Sequence, residues 1–137
     1  MKLAACLSLA LLAASPAWAG PASDGAGATA GEWVNPKHTV RLRAQDCGTN
    51  LCGVIVWAAP QAEAQAARNH QPHLAGTELL RDFHQVSDKV WRGSVYVPDV
   101  HRTFAGTITM TDANTMIGKG CVLFGMICRS QTWTRIR

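Results

Sequence analysis

From Gly31 onward, β-branched and apolar residues come in short clusters broken by turn residues, a pattern that only a strand-rich fold accommodates. Thr39-Val40-Arg41-Leu42-Arg43 alternates apolar and basic side chains, as a strand with one face in water does. Leu51 to Trp57 (LCGVIVW) is apolar throughout, which suits a strand covered on both sides or capped by a loop. Lys89 to Val97 and Arg102 to Met110 are joined by Pro98-Asp99-Val100-His101, a natural hairpin link. Thr111-Asp112-Ala113-Asn114 then turns the chain into Thr115 to Cys121, and Gln131 to Arg137 forms the last strand. With Gly31-Glu32-Trp33 as the first, seven or eight consecutive antiparallel strands are expected. Such strands must hide their edges, and closure does so most completely. The predicted fold is therefore all-β, a small antiparallel up-and-down β-barrel, with a two-layer sandwich as the alternative. One segment departs from the pattern. Ala58 to Asn69 is rich in Ala, Gln and Glu and carries Pro60 near a first turn, which predicts a short helical insertion around 60–69.

The first nineteen residues read differently. Lys2 is followed by a small-and-apolar run from Leu3 to Ala14, and Ala17-Trp18-Ala19 places small residues before Gly20. This is the three-part pattern of a secretory signal cut after Ala19, and its apolar run is too short for a membrane span. Residues 20–30 (GPASDGAGATA) are small and polar and read as a flexible linker. The barrel domain is then expected over 31–137, with no transmembrane segment after cleavage and a periplasmic or secreted location.

Removal of the leader takes away Cys6 and leaves Cys47, Cys52, Cys121 and Cys128. An even number of cysteines in an exported domain points to disulfides. Three pairings are open; the local one, 47 with 52 and 121 with 128, needs the least rearrangement because each pair brackets a turn. Loops that short would stabilise the domain by roughly 2 to 2.5 kcal/mol each on the chain-entropy model. Zinc is a poor competitor, because the x4 and x6 spacings do not match the usual knuckle, and a redox Cys-x-x-Cys is absent.

Several runs together carry a family resemblance. These are Gly31-Glu32-Trp33, Cys47 with Leu51-Cys52-Gly53-Val54-Ile55-Val56-Trp57, Trp91 to Pro98 (WRGSVYVP), and Gly120-Cys121 through Cys128-Arg129-Ser130-Gln131-Thr132-Trp133-Thr134-Arg135. In that order they resemble the exported bacterial proteins of the domain of unknown function 2147 family, and the closing run is the most specific part. Between Ala58 and Gly76 the sequence departs from that family's pattern, with only Arg68 to Gly76 echoing it. The resemblance implies a lipocalin-like barrel. Gly-x-Trp is also the lipocalin opening, which implies that Trp33 closes the barrel floor beneath Arg135, held by a cation–π contact of about 0.5 to 2 kcal/mol. The alternative is a plain core tryptophan and a solvated arginine.

No catalytic constellation is recognisable. His70 and His73 are separated by a proline that spoils a helical ligand face, so no metal site and no cofactor are expected. Ser87, Ser94 and Ser130 lack a nucleophile-elbow context, and the aspartates sit near turns. The chain has 13 Lys and Arg against 9 Asp and Glu. Arg41, Arg43, Arg135 and Arg137 would share the seam between the first and last strands, a patch suited to anionic envelope components. Nucleic acid is not an expected partner of an exported protein. The leading expectation is a non-catalytic carrier of a small apolar or amphipathic ligand. Its candidate lining is Val40, Leu42, Ile55, Trp57, Phe104, Ile108 and Met110, with polar orientation from Arg92 or Tyr96. The rival is an envelope interaction module or inhibitor with a filled core and a functional surface.

Overall fold

The computed structural model describes residues 26–137; the expected signal over 1–19 lies outside the described residues. The strands are β1 (Gly31–Val34), β2 (Val40–Cys47), β3 (Asn50–Ala58), β4 (Glu78–Ser87), β5 (Val90–Val97), β6 (Arg102–Asp112), β7 (Thr115–Val122) and β8 (Ile127–Arg135). Helix α1 (Pro60–Arg68) lies between β3 and β4. Each strand pairs antiparallel with the next, and β8 returns to β1, so the sheet is a closed eight-stranded barrel. Cys47 is bonded to Cys52 and Cys121 to Cys128, each bridge spanning one hairpin.

Strand β4 has no counterpart among the sequence-predicted strands, and its backbone explains why. Leu80 and Phe83 are both buried although they stand three apart. The register shifts between Arg81 and His84, and Asp82 takes a left-handed φ of 53°. A bulge of this kind breaks the period of two that marks a strand in sequence. Strand β8 begins at Ile127, ahead of the expected Gln131, because the hairpin is held together by the Cys121–Cys128 pair.

Alternating strand direction gives the barrel two unlike ends. Tight turns at Gly48-Thr49, Asp88-Lys89 and Ala113-Asn114 form the base, together with residues 26–30 and the C-terminal residues. Loops 35–39, 59–77, 98–101 and 123–126 form the mouth. The larger core cluster includes Trp33, Leu42, Phe83, Trp91, Met116 and Trp133, and it is richest towards the base. A smaller cluster of Ile55, Ala66 and Leu74 seats α1 on one side of the mouth. The carboxylate of Glu63 fixes that seat by accepting from the backbone N–H groups of Leu74 (2.9 Å) and Ala75 (3.2 Å).

At the base, Trp33 is fully buried, and its Nε1 donates to the Thr29 carbonyl at 2.9 Å. The Arg135 guanidinium lies 4.3 Å from the centroid of the Trp33 ring. Its nitrogens donate to the carbonyls of Ala113 (2.8 Å), Ala28 (2.5 Å) and Ala30. Residues 26–30, read from sequence as the end of a linker, are therefore built into the floor, Arg135 binding the carbonyls of Ala28 and Ala30 and Trp33 that of Thr29. Gly31 has φ 131°, and a Cβ there would strike the Arg137 carbonyl and the Arg135 guanidinium. That crowding, together with the positive φ, explains glycine at the start of β1.

Candidate functional site

Inner-face residues follow from the register. Gly93 pairs with Gly106, and Gly106 with Gly120, so three glycines form one row across β5, β6 and β7. Their surroundings differ sharply. A Cβ on Gly93 would come within 2.7 Å of the Phe83 ring, and one on Gly106 within 3.2 Å of it. A Cβ on Gly120 would meet nothing within 4 Å. Phe83 therefore fills the glycine row on the β5 side and leaves it hollow on the β7 side. Gly118, paired with the buried Ile108, meets only Trp133 and the Gln131 backbone, at van der Waals distance.

The wall facing this hollow is polar. Gly118 and Gly120 pair with Gln131 and Arg129 on β8, which share the inner face with the buried Trp133 by alternation. Both are solvent-exposed. They are reached by water because β1 is short: it pairs with β8 only through Trp33–Arg135 and Val34–Thr134. Beside the hollow, a cleft of about 620 Å³ opens at the mouth, lined by Val100, Arg102, Phe104, Val122 and Leu123. A second cleft of about 620 Å³ lies at the other end, against the floor formed by Ala28, Trp91, Met110 and Arg135.

The sequence-predicted lining residues divide into four groups. Leu42, Ile108 and Met110 are buried in the larger core. Val40 and Ile55 pack with the α1 side of the mouth. Phe104 lines the open cleft. Trp57, Arg92 and Tyr96 face outward. A register shift between Arg41 and Leu42 leaves Ile55 inside and turns Trp57 out, 38% exposed, where Arg41 stacks on it at 4.9 Å. Arg92 and Tyr96 alternate with the inward Trp91, Gly93 and Val95, and Arg81 stacks on the outer Tyr96 at 4.8 Å. Arg102, Arg129 and Gln131 were missed as inner-face polar groups. The signal was present in the alternation back from Trp133 and Phe104, but charged side chains read more readily as outer-face residues.

The mouth is covered on one side only. The Tyr96 hydroxyl donates to Gln71 Oε1 (3.3 Å), Asn69 Nδ2 donates to Asp99 Oδ1 (3.2 Å), and the His101 ring meets the Asn69 carbonyl at 2.5 Å. These bonds latch the end of α1 to the 98–101 loop. Among the described residues, the β6–β8 side carries no such latch.

The four seam arginines are engaged by partners. Arg43 and Arg137 both donate to the Glu32 carboxylate, at 2.6 Å and 3.2 Å. The Arg43 hydrogen bond holds the Glu32 carboxyl below its ordinary value, against a smaller opposing effect of burial. Arg135 stacks on Trp33 and Arg41 on Trp57, so those two side chains are held in place, and the Glu32 carboxylate offsets one of the four positive charges. Among the described residues, no group of three His, Cys, Asp or Glu is placed to hold a metal ion.

The model of the family described as "Uncharacterized protein conserved in bacteria (DUF2147)" matches residues 31–135. The chain belongs to this family. Among solved structures, the DUF2147 barrel is similar to protein HP1028 from the human pathogen Helicobacter pylori, which belongs to the lipocalin family. The likeness has a TM-score of 0.60 at 12% identity, covering 79% of this chain and 82% of that one. At that identity it establishes a lipocalin-like fold and carries no function with it. No curated protein matches the chain significantly.

Proposed function

We propose that this DUF2147 protein is an exported, non-catalytic carrier of a small amphipathic molecule. The apolar part of the ligand enters the hollow beside Gly120, between Phe104 and Val122, and an anionic or polar head meets Arg129, Gln131 and Arg102. The observation that carries this reading is the unfilled space at Gly120, on the inner face and next to the open cleft. A lipocalin-like fold is compatible with small-ligand binding. Export is supported by the leader-like sequence over 1–19 and by two disulfides, which persist in oxidising compartments. Sequencing the N-terminus of protein from the host envelope should give Gly20.

The carrier reading is tested by Gly120→Leu. A Cβ at this position meets no atom within 4 Å, so the variant is expected to fold. Saturable uptake of 1-anilinonaphthalene-8-sulfonate, an apolar probe with an anionic head, should weaken at least about tenfold, the scale of losing one buried aromatic or aliphatic contact. Native mass spectrometry of the envelope-purified protein should show a bound amphiphile that the variant lacks. Unchanged probe uptake in a folded Gly120→Leu protein would reject the site.

A further inference from the structure

Eight large apolar side chains stand exposed among the described residues, and five of them gather at one place: Val100, Leu123, Phe124, Met126 and Ile127. Four of the five lie on or beside the turn between β7 and β8. Phe124 is wholly exposed and Met126 is 83% exposed. The turn is not a loose loop, since Cys121 pairs with Cys128 across the hairpin and is bonded to it. Its backbone is costly as well. Leu123 (φ 51°) and Phe124 (φ 56°) are both left-handed, a conformation that Asn-Gly takes readily in a hairpin and bulky residues rarely do. A turn that served only to reverse the chain would have no need of large apolar residues there.

Charge around the turn points to one kind of partner. Arg102 lines the adjoining cleft and Arg129 follows Cys128 on β8; both are exposed, and neither takes part in an ion pair among the described residues. The carboxylates at this end lie on or are tied to the α1 side: Glu63 binds backbone amides, Asp99 accepts from Asn69, and Glu78 opens β4. Apolar side chains that protrude beyond flanking cations match an interface with hydrocarbon below and phosphates above.

We propose that the β7–β8 turn docks on bilayers containing anionic phospholipid, with Phe124, Met126 and Leu123 entering the headgroup layer and Arg102 and Arg129 on the phosphates. A second copy of the chain fits less well. A two-fold contact through this tip would set Arg102 and Arg129 against their own counterparts, over an area small for a stable dimer. The inference does not rest on the carrier reading, although docking here would set the open cleft against the lipid.

The test is flotation of the protein with vesicles of phosphatidylcholine alone and with phosphatidylglycerol added. Binding to the anionic vesicles is expected, and it should fall as salt rises. Phe124→Ser combined with Met126→Ser should weaken it at least about tenfold. Arg102→Gln and Arg129→Gln should each weaken it roughly fivefold and flatten the salt dependence. The replaced tip side chains are exposed, so the serine variant should keep the parent thermal midpoint and its uptake of anilinonaphthalene sulfonate. That retained uptake separates failure of docking from failure of the carrier reading. The proposal is overturned by equal binding to neutral and anionic vesicles, or by unchanged binding of the serine variant. It is equally overturned if the protein ignores vesicles but forms a dimer that the serine variant abolishes.

Discussion

On β3, β5 and β6, inner-face glycines are slots for a neighbour, whereas Gly120 on β7 borders open space. Gly93 and Gly106 lie under the Phe83 ring, and Gly53 lies 2.8 Å, measured from a notional Cβ, from Leu80. Gly120, in the same cross-strand row, faces Arg129, a side chain that prefers water to the interior. What a glycine does for a small barrel therefore depends on the strand across from it. A large apolar neighbour converts the missing side chain into packing, and a polar one leaves a hollow. The two ends repeat the contrast: three tryptophans and Arg135 consolidate the base, while among the described residues nothing latches or covers the β6–β8 side of the mouth.

The base should be the more sensitive end by a wide margin. Trp33→Ala removes a fully buried indole, its hydrogen bond to Thr29 and the surface on which Arg135 stacks. A loss of about 3 to 5 kcal/mol in urea unfolding is expected. Phe104→Ala, at the half-buried mouth, should cost about 1 kcal/mol. Equal losses would show that the mouth is packed as tightly as the base.

The glycine contrast sharpens the same point at smaller scale. Gly93→Ala places a methyl 2.7 Å from both the Arg81 carbonyl and the Phe83 ring, and backbone cannot move aside cheaply. Overpacking of this kind costs about 1 to 3 kcal/mol. Gly120→Ala should lie within about 0.5 kcal/mol of the parent, because nothing occupies the space. Thermal melts of the two variants side by side suffice, and a comparable loss at Gly120 would remove the hollow.

Part of the barrel was legible in sequence because some strands keep strict alternation. Val90 to Val97 and Arg102 to Thr109 pair without a register shift between them, and their period of two survives in the sequence. Strand β4 was hidden by the bulge at Asp82, which puts Leu80 and Phe83 on one face at a spacing of three, foreign to the period of two that marks a strand. Trp57 misled for the same reason, since the irregularity in the β2–β3 pairing turned it outward while Ile55 stayed inside. The site was less legible than the fold. An arginine in a strand reads as solvent-facing, and only the shortness of β1 lets Arg129 and Gln131 face the interior and remain wet. The ordered floor at 26–30 was illegible because small residues there contribute carbonyls, and the side chain that binds them lies more than a hundred residues away.

The smallest effect concerns the seam that closes the barrel. Glu32 is nearly buried on β1 and binds Arg43 of β2 and the C-terminal Arg137, so one carboxylate joins β1 to both of its flanks. Its pKa is lowered chiefly by the hydrogen bond from Arg43. A carboxyl with a depressed folded-state pKa contributes stability that is complete above its unfolded value, about 4.3 for glutamate, and is lost as pH falls through the lower folded value. Glu32→Gln should thus be less stable than the parent at neutral pH, and the gap should narrow in acid as the parent carboxylate is protonated. Both arginines are more than half exposed, so added salt should narrow the gap at neutral pH too. Urea titrations across that range read this directly. A gap that widened in acid would mean that the carboxylate is strained at the seam, and that closure rests on the β1–β8 backbone pairing and the Trp33 and Arg135 stack.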